Sequence, residues 1–200
     1  MEFDFGKTVY IEASVAFYLK VENFTNPSKI ARQLATRVWL DFWSPGFEIF
    51  TSVLTVEAAG RGHHGDAAQA LKALDGATKL PFTDDVSALA DTIIDGLSLP
   101  PDSRDDARHI AMAAVHNIDY ILTWKFQFLD KEVTGPLIRD VCRQRGYRSP
   151  KTCTPHALVG VVPVHFGEIL EELREIRYNN SHDRKVAARL KCRGEQLAPL

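Results

Sequence analysis

Short apolar runs without a helical period alternate with amphipathic helical segments along most of this chain, and this alternation constrains the fold more than any other feature. The runs are rich in β-branched and aromatic residues, which favour strands, and they cover residues 8–11, 47–53, 80–83 and 120–123. Helical periodicity occupies the intervals at 14–19, 30–43, 66–77, 84–94 and 105–116. The alternation predicts a doubly wound α/β fold, in which helices cover both faces of a parallel sheet.

Polar residues and helix breakers predict where these helices begin and end. Ser28 is the predicted N-cap of the helix over 30–43, and Pro45-Gly46 ends that helix. Asp84 is positioned to cap the helix that follows it. In parallel α/β sheets, ligands bind beyond the carboxyl ends of the strands, where helix N-termini point inward. Residues that directly follow a strand are therefore the first candidates for function.

The charge balance excludes nucleic-acid binding through bulk positive charge. The chain has 24 Lys and Arg against 26 Asp and Glu, a formal net charge of −2, so such a partner must be held by a local basic patch or by bridging cations. No apolar run reaches the roughly 18–20 residues that a membrane span needs. The opening MEFDFGK also lacks the basic region followed by an apolar region that is typical of a secretory signal. Three widely spaced cysteines are typical of free thiols. We therefore expect a cytoplasmic protein with no membrane partner.

Three carboxylates interrupt segments that otherwise look buried. Glu12 directly follows the first predicted strand, Glu57 lies just past the second, and Asp106 opens the helix before the strand at 120–123. An ionised carboxylate at the edge of a core is costly unless it is paired or bound to a metal, so the three can converge on one site. Each also has a simpler explanation: Asp106 can complement a helix N-terminus, Glu57 can be solvated in a first helical turn, and Glu12 can form a salt bridge.

A cluster of carboxylates favours a hard divalent cation, because the ion relieves their mutual repulsion. Mg²⁺ prefers oxygen ligands and keeps several waters, which leaves positions for phosphate oxygens and an attacking water. The set contains no imidazole or thiolate, so zinc is not its natural occupant. The cluster predicts metal-assisted hydrolysis of a phosphodiester, and an RNA substrate held through cations is consistent with the acidic net charge.

Several segments, taken in order, resemble PIN-domain proteins, specifically the VapC-type toxin branch. They are VYIEAS, FTSVLTVEAAGRG, DARHIAMAAVH, DYILTWKF and PKTCTPHALVG, and the resemblance covers about residues 8–160. It implies a PIN-like domain over 1–160, built as a three-layer α/β/α sandwich with a central parallel sheet. It also implies a Mg²⁺- or Mn²⁺-dependent endoribonuclease that acts as the toxin of a toxin–antitoxin pair.

The resemblance assigns roles residue by residue. Glu12, Glu57 and Asp106 stand at the family's catalytic, metal-binding carboxylates, although the first of these is usually Asp. Ser14 and Thr123 match hydroxyl residues that orient the site and are included among the catalytic residues.

Lys125 departs from the family pattern, since the position two residues after Thr123 usually carries Asp or Asn. A cation there cannot ligate a metal, but it can pair with Asp106 or, with Arg108, contact a substrate phosphate. This leaves open an alternative, a catalytically impaired PIN-fold module that binds RNA or protein. A third hypothesis is a small α/β enzyme acting on another phosphate-bearing substrate.

Two residues near these carboxylates have competing explanations. His109 can flank the site, but a partly buried and hydrogen-bonded histidine is the simpler interpretation. Trp124 can stack on a base, as aromatic residues do in proteins that bind single strands, or it can pack in the core after a strand.

A helical C-terminal extension is expected over 161–200. Its helix at 165–178 places apolar residues on one face, with charged residues around them. That face can pack on the same chain, form a homodimer or bind a helical antitoxin.

Overall fold

Five parallel strands form one sheet at the centre of the computed structural model of this protein. The structure describes residues 6–19, 24–60, 68, 70, 72, 74–97, 103–125 and 134–158. The strands are β1 (Thr8–Ile11), β2 (Glu48–Ser52), β3 (Thr78–Leu80), β4 (Tyr120–Leu122) and β5 (Lys151–Cys153). Their order across the sheet is β3-β2-β1-β4-β5, and every neighbouring pair is parallel.

Seven helices surround the sheet in the part of the chain that the structure describes. They are α1 (Ala13–Tyr18), α2 (Pro27–Val38), α3 (Val53–Gly60), α4 (Asp84–Leu97), α5 (Arg104–Val115), α6 (Thr134–Gln144) and α7 (Pro155–Leu158). A π-helical turn (Trp39–Trp43) and a 3₁₀ turn (Ser44–Gly46) extend α2.

Helices cover both faces of the sheet. Successive strand side chains point to opposite sides, so each face contributes to a separate hydrophobic cluster. Tyr10 and Ile121 pack on one face with buried residues of α4, α5 and α6. Val9, Ile11 and Leu122 pack on the other face with residues of α1, α3 and the π-helical turn. The protein is thus an α/β protein with a parallel sheet, as predicted, and its layers are compatible with a three-layer sandwich.

The predicted strands over 8–11, 47–53 and 120–123 are confirmed to within about one residue at each end. The strand predicted over 80–83 is shifted, since β3 occupies Thr78–Leu80. The helix predicted over 30–43 continues as a π-helical turn after Val38 rather than as a regular α-helix.

Both predicted helix caps are wrong by one or two residues. Asn26, not Ser28, caps α2: its side-chain oxygen accepts from the N–H groups of Ser28 (2.9 Å) and Lys29 (3.3 Å). Asn26 satisfies two orphan donors, whereas Ser28 lies inside the first turn after a proline at the first helical position. Thr83, not Asp84, accepts from the N–H of Val86 (3.4 Å) and so caps α4.

The helix predicted over 66–77 is described in part: Ala68, Ala70 and Lys72 are helical, whereas residues 74–77 form a turn and a bend rather than the end of the helix. The C-terminal extension predicted over 161–200 lies outside the described residues. Among the helices that are described, none has both the length and the apolar character needed to cross a membrane.

Asp119 ties the N-terminal ends of β1 and β4 together, at the edge of the sheet opposite the strand ends that carry Glu12 and Thr123. Its Oδ2 accepts from the N–H (3.1 Å) and the hydroxyl (3.0 Å) of Thr8, and Arg148 lies 3.0 Å from its Oδ1. Burial raises the pKa of Asp119, but the hydrogen bonds from Thr8 and the charge of Arg148 outweigh this and lower the pKa overall. The ionised form is therefore stabilised by folding.

We predict that Asp119→Ala lowers the free energy of unfolding at pH 7 by about 1–3 kcal/mol, because three charge-assisted contacts are lost. Since the pKa is lower in the folded state, the stabilisation is complete above the unfolded value of about 3.9. It disappears as the pH falls through the lower folded value. Urea denaturation of both proteins between pH 7 and pH 2 measures this, and a difference that grows on acidification would contradict it.

Candidate active site

The candidate site begins where β1 and β4 end side by side. The parallel register pairs Ile11 with Leu122, and the residues that follow them are Glu12 and Thr123. The N–H of Glu12 donates to the carbonyl of Leu122 (3.0 Å). Since the carboxyl ends of parallel strands meet at one edge of the sheet, two predicted site residues 111 positions apart are brought together.

Glu12 is held through one of its two carboxylate oxygens. It is the N-cap of α1 and is 2% exposed. Its Oε2 accepts from the N–H of Ser14 (2.8 Å), from the Thr123 hydroxyl (2.9 Å) and from the Ser14 hydroxyl. Each hydroxyl has one proton and gives it to Glu12, so each is left to accept. Ser14 accepts from the N–H of Trp124 (2.8 Å), and Thr123 accepts from the N–H of Lys125 (3.0 Å).

The other oxygen of Glu12, Oε1, is buried and has no hydrogen-bond partner among the residues that the structure describes. It lies 3.8 Å from Nε2 of His109, which is too far for a hydrogen bond. Burial lowers the pKa of His109 and outweighs the opposing charges of Glu12 and Asp106. The ring is therefore neutral near pH 7 and does not neutralise Glu12. A buried polar atom without a partner costs about 1–3 kcal/mol, and more when it is charged, so Oε1 is an acceptor that the described residues leave unsatisfied.

Tyr10 connects the site to the neighbouring elements and orients His109. Its hydroxyl lies 2.7 Å from Nδ1 of His109, 2.6 Å from the Ser52 hydroxyl and 3.3 Å from the Thr55 hydroxyl. Burial raises the pKa of Tyr10 to about 12, so the phenol keeps its proton. The expected hydrogen bonding of His109 is confirmed, and the residue is buried more completely than expected, at 4% exposed. Tyr10 was not predicted as part of the site, although its spacing of two residues from Glu12 is the signal that places both on one side of the strand.

Asp106 faces the same site from the first turn of α5. It lies three residues before His109, so both side chains share one face of the helix. Burial raises the pKa of Asp106, the Lys125 charge lowers it and the Glu12 charge raises it, with a net increase. The charge of Glu12 therefore disfavours the ionised form of Asp106.

Lys125 provides a positive charge beside this pair. Its Nζ lies 3.6 Å from Oδ1 of Asp106, and the Lys125 side chain is 56% exposed against 19% for Asp106. An ion pair with a solvent-exposed partner contributes little to stability, so separating Lys125 from Asp106 costs little free energy. Arg108, the other predicted phosphate contact, pairs with Asp105 at 3.5 Å.

Glu57 is not brought to this cluster. Thr55 and Ala59 are the buried residues of α3, and Glu57 is two residues from each. Two residues of an α-helix correspond to about 200°, so Glu57 points nearly opposite to them and is exposed. Thr55 faces Tyr10, so the Glu57 side chain points away from the site. The predicted role of Glu57 as a metal ligand stays a prediction.

Metal binding at this site therefore depends on Glu12 and Asp106. Within the described ranges, no group of three or more His, Cys, Asp or Glu side chains is arranged to hold a metal ion. Mg²⁺ is commonly held by one or two protein carboxylates, with waters and substrate phosphates as its remaining ligands. Two hard oxygen donors, one of them an unpartnered buried atom, fit that requirement.

Comparisons of the chain with protein-family models, with curated proteins and with solved structures found no match. The resemblance to PIN-domain proteins therefore depends on the sequence segments themselves, and membership of that family stays a prediction. Function has to be argued from the site.

Two buried threonines provide a matched test of how Glu12 is held. Thr123 donates to Glu12, whereas the Thr51 hydroxyl is buried without a partner among the described residues. We predict that Thr123→Val lowers the free energy of unfolding by about 1–3 kcal/mol, because Glu12 loses a donor. Thr51→Val should leave it unchanged or raise it. Urea denaturation of the two variants measures the difference, and equal losses would show that the bond to Glu12 contributes nothing.

Proposed function

We propose that the chain is a metal-dependent endoribonuclease of the PIN type, in which Glu12 and Asp106 hold the cation. The observation that carries the proposal is the unpartnered Oε1 of Glu12, buried beside a neutral His109. A cation is the partner that this oxygen lacks. The five-stranded parallel sheet with helices on both faces also supports the proposal, since the resemblance implies a sandwich of this kind.

A Mg²⁺ or Mn²⁺ ion bound there would polarise the phosphoryl group, lower the pKa of an attacking water and stabilise the leaving oxygen. The donor set supports such a hard ion, because both ligands are carboxylates. The raised pKa of Asp106 is also relevant: burial and the neighbouring Glu12 charge disfavour its ionised form, and a bound cation would reverse that preference.

The other residues of the site position Glu12 and limit the ligand set. Ser14 and Thr123 bind Oε2 and thereby fix the rotamer of Glu12, which keeps Oε1 free. When Tyr10 donates to Nδ1 of His109, the ring proton lies on Nε2, facing Glu12. In that tautomer the protonated Nε2 cannot ligate a metal, so His109 would support the carboxylates without joining them.

A second candidate function is favoured by Lys125. Its ammonium group stands beside Asp106, where it can replace part of the charge that a metal would supply. In that case the chain is a catalytically impaired module that binds RNA through Lys125 and nearby cations. The proposed role in a toxin–antitoxin pair, with a helical antitoxin or a second copy of the chain as partner, depends on the resemblance alone.

We predict that Asp106→Asn lowers the rate of Mg²⁺-dependent cleavage of single-stranded RNA by roughly a hundredfold or more, because the amide cannot neutralise a cation. Asp105→Asn is the matched control: it changes the neighbouring, exposed carboxylate and should leave the rate unchanged. Cleavage of a labelled oligonucleotide in Mg²⁺ and in excess chelator measures this, with circular dichroism to verify folding. Cleavage that persists in chelator would contradict the proposal.

Glu57→Gln completes the same experiment. Its side chain points away from the cluster, so the rate should fall by no more than about twofold, the change expected from a distant surface charge. A loss as large as that of Asp106→Asn would support the three-carboxylate site that the resemblance implies.

Lys125→Ala should tighten Mg²⁺ binding by roughly two- to fivefold, since the ammonium group opposes a second cation beside Asp106. Isothermal titration calorimetry measures the affinity, and Lys79→Ala, an exposed lysine on β3, is the control. An unchanged affinity would show that Lys125 does not compete for the site. A wild-type protein without cleavage, combined with cleavage by Lys125→Asp, would favour the impaired module.

A further inference from the structure

A groove lies directly beside the Glu12 site and is lined by aromatic and basic side chains. Its volume is about 350 Å³, within the range of about 300–1,000 Å³ for pockets that hold small ligands. Ser14, which binds Glu12, forms one end of the lining, and the remaining side chains that matter here are Phe17, Tyr18, Arg32, Trp124 and Lys125. The lining has two cations and no carboxylate.

Trp124 forms a rigid wall of this groove. Its backbone N–H donates to the Ser14 hydroxyl (2.8 Å), and its indole N–H donates to the Thr36 hydroxyl (2.9 Å). Tyr18 packs edge-on against it, with ring centroids 6.0 Å apart at an angle of 73°. The expected packing of Trp124 against the core is confirmed. The same contacts fix the orientation of the ring in the groove.

Arg32 lies over the Trp124 ring, with its guanidinium carbon 5.6 Å from the ring centroid. It projects from α2, is exposed, and lies 3.4 Å from the Tyr18 hydroxyl. No carboxylate of the described ranges lies within ion-pair distance of it. The groove thus presents a flat guanidinium plane whose charge the described residues do not neutralise.

We propose that this groove binds one unpaired nucleotide of single-stranded RNA, with its base stacked on the Arg32–Trp124 pair and its phosphate between Arg32 and Lys125. The proposal deepens the proposed function and depends on it for the identity of the substrate. Unpaired bases of RNA stack on aromatic rings and on guanidinium planes, whereas paired bases are not accessible to either. Because Ser14 contacts both the groove and Glu12, the phosphodiester next to the bound nucleotide would lie at the carboxylates.

Binding of labelled oligomers, measured by fluorescence anisotropy in chelator so that no cleavage occurs, tests the proposal. The probes are a single-stranded RNA decamer, an abasic ribose-phosphate decamer and the duplex form of the RNA. The wild-type protein should bind the single strand roughly five- to a hundredfold more tightly than the abasic oligomer, the range expected for stacking of one base. It should also prefer the single strand to the duplex.

Arg32→Lys keeps the positive charge but removes the plane, so it should abolish most of the preference for bases. Arg37→Lys is the matched control, because Arg37 is exposed on the same helix and does not line the groove. Its preference should equal that of the wild-type protein. An unaltered preference in Arg32→Lys would overturn the proposal.

Equal binding of the base-bearing and abasic oligomers by the wild-type protein would also overturn it, without the need for any variant. So would the absence of binding to every probe, the result expected if the groove holds a protein segment. Failure of the proposed function is separable: a base preference without cleavage in Mg²⁺ overturns hydrolysis but supports the groove. Cleavage without a base preference overturns the groove alone.

Discussion

Glu12 brings a negative charge to a buried position at the end of the central strand, and the surrounding structure is arranged around that charge. Ser14 and Thr123 give both of their hydroxyl protons to one oxygen and then accept backbone N–H groups themselves. These bonds satisfy Oε2, whereas Oε1 has no hydrogen-bond partner among the described residues. Burying a carboxylate in this half-satisfied state is costly, and the proposed cation would supply the missing partner.

The electrostatics of the site depend on which cation neutralises it. Asp106 already has Lys125 at 3.6 Å, so part of the negative charge is compensated by the chain itself. A divalent ion adds two charges and direct ligation, whereas an ammonium group adds one charge from a half-exposed side chain. Under the proposed function, the balance between them would decide whether the site hydrolyses RNA or only holds it, and a substrate phosphate would add a further ligand for Mg²⁺.

Ser14 couples the carboxylates to the aromatic groove. Its hydroxyl donates to Glu12 and accepts from the N–H of Trp124, so a shift in either neighbour alters the hydrogen bond of the other. Trp124 is also held by Thr36 of α2, the helix that presents Arg32. A nucleotide in the groove would therefore be aligned by the same contacts that hold the proposed metal ligand.

The sequence by itself determined the alternation of strands and helices, the parallel sheet, the position of Glu12 at a strand end and that of Asp106 at a helix start, because periodicity and β-branched runs are local properties. Tertiary structure decided which way each carboxylate points. Glu57 points away since its direction depends on the rotation of α3 about its axis, and one residue changes that by about 100°. The hydrogen bond between Tyr10 and His109 and the ion pair between Lys125 and Asp106 likewise connect segments that are distant in the sequence. The relative positions of these segments are fixed only when the sheet and its helices pack together.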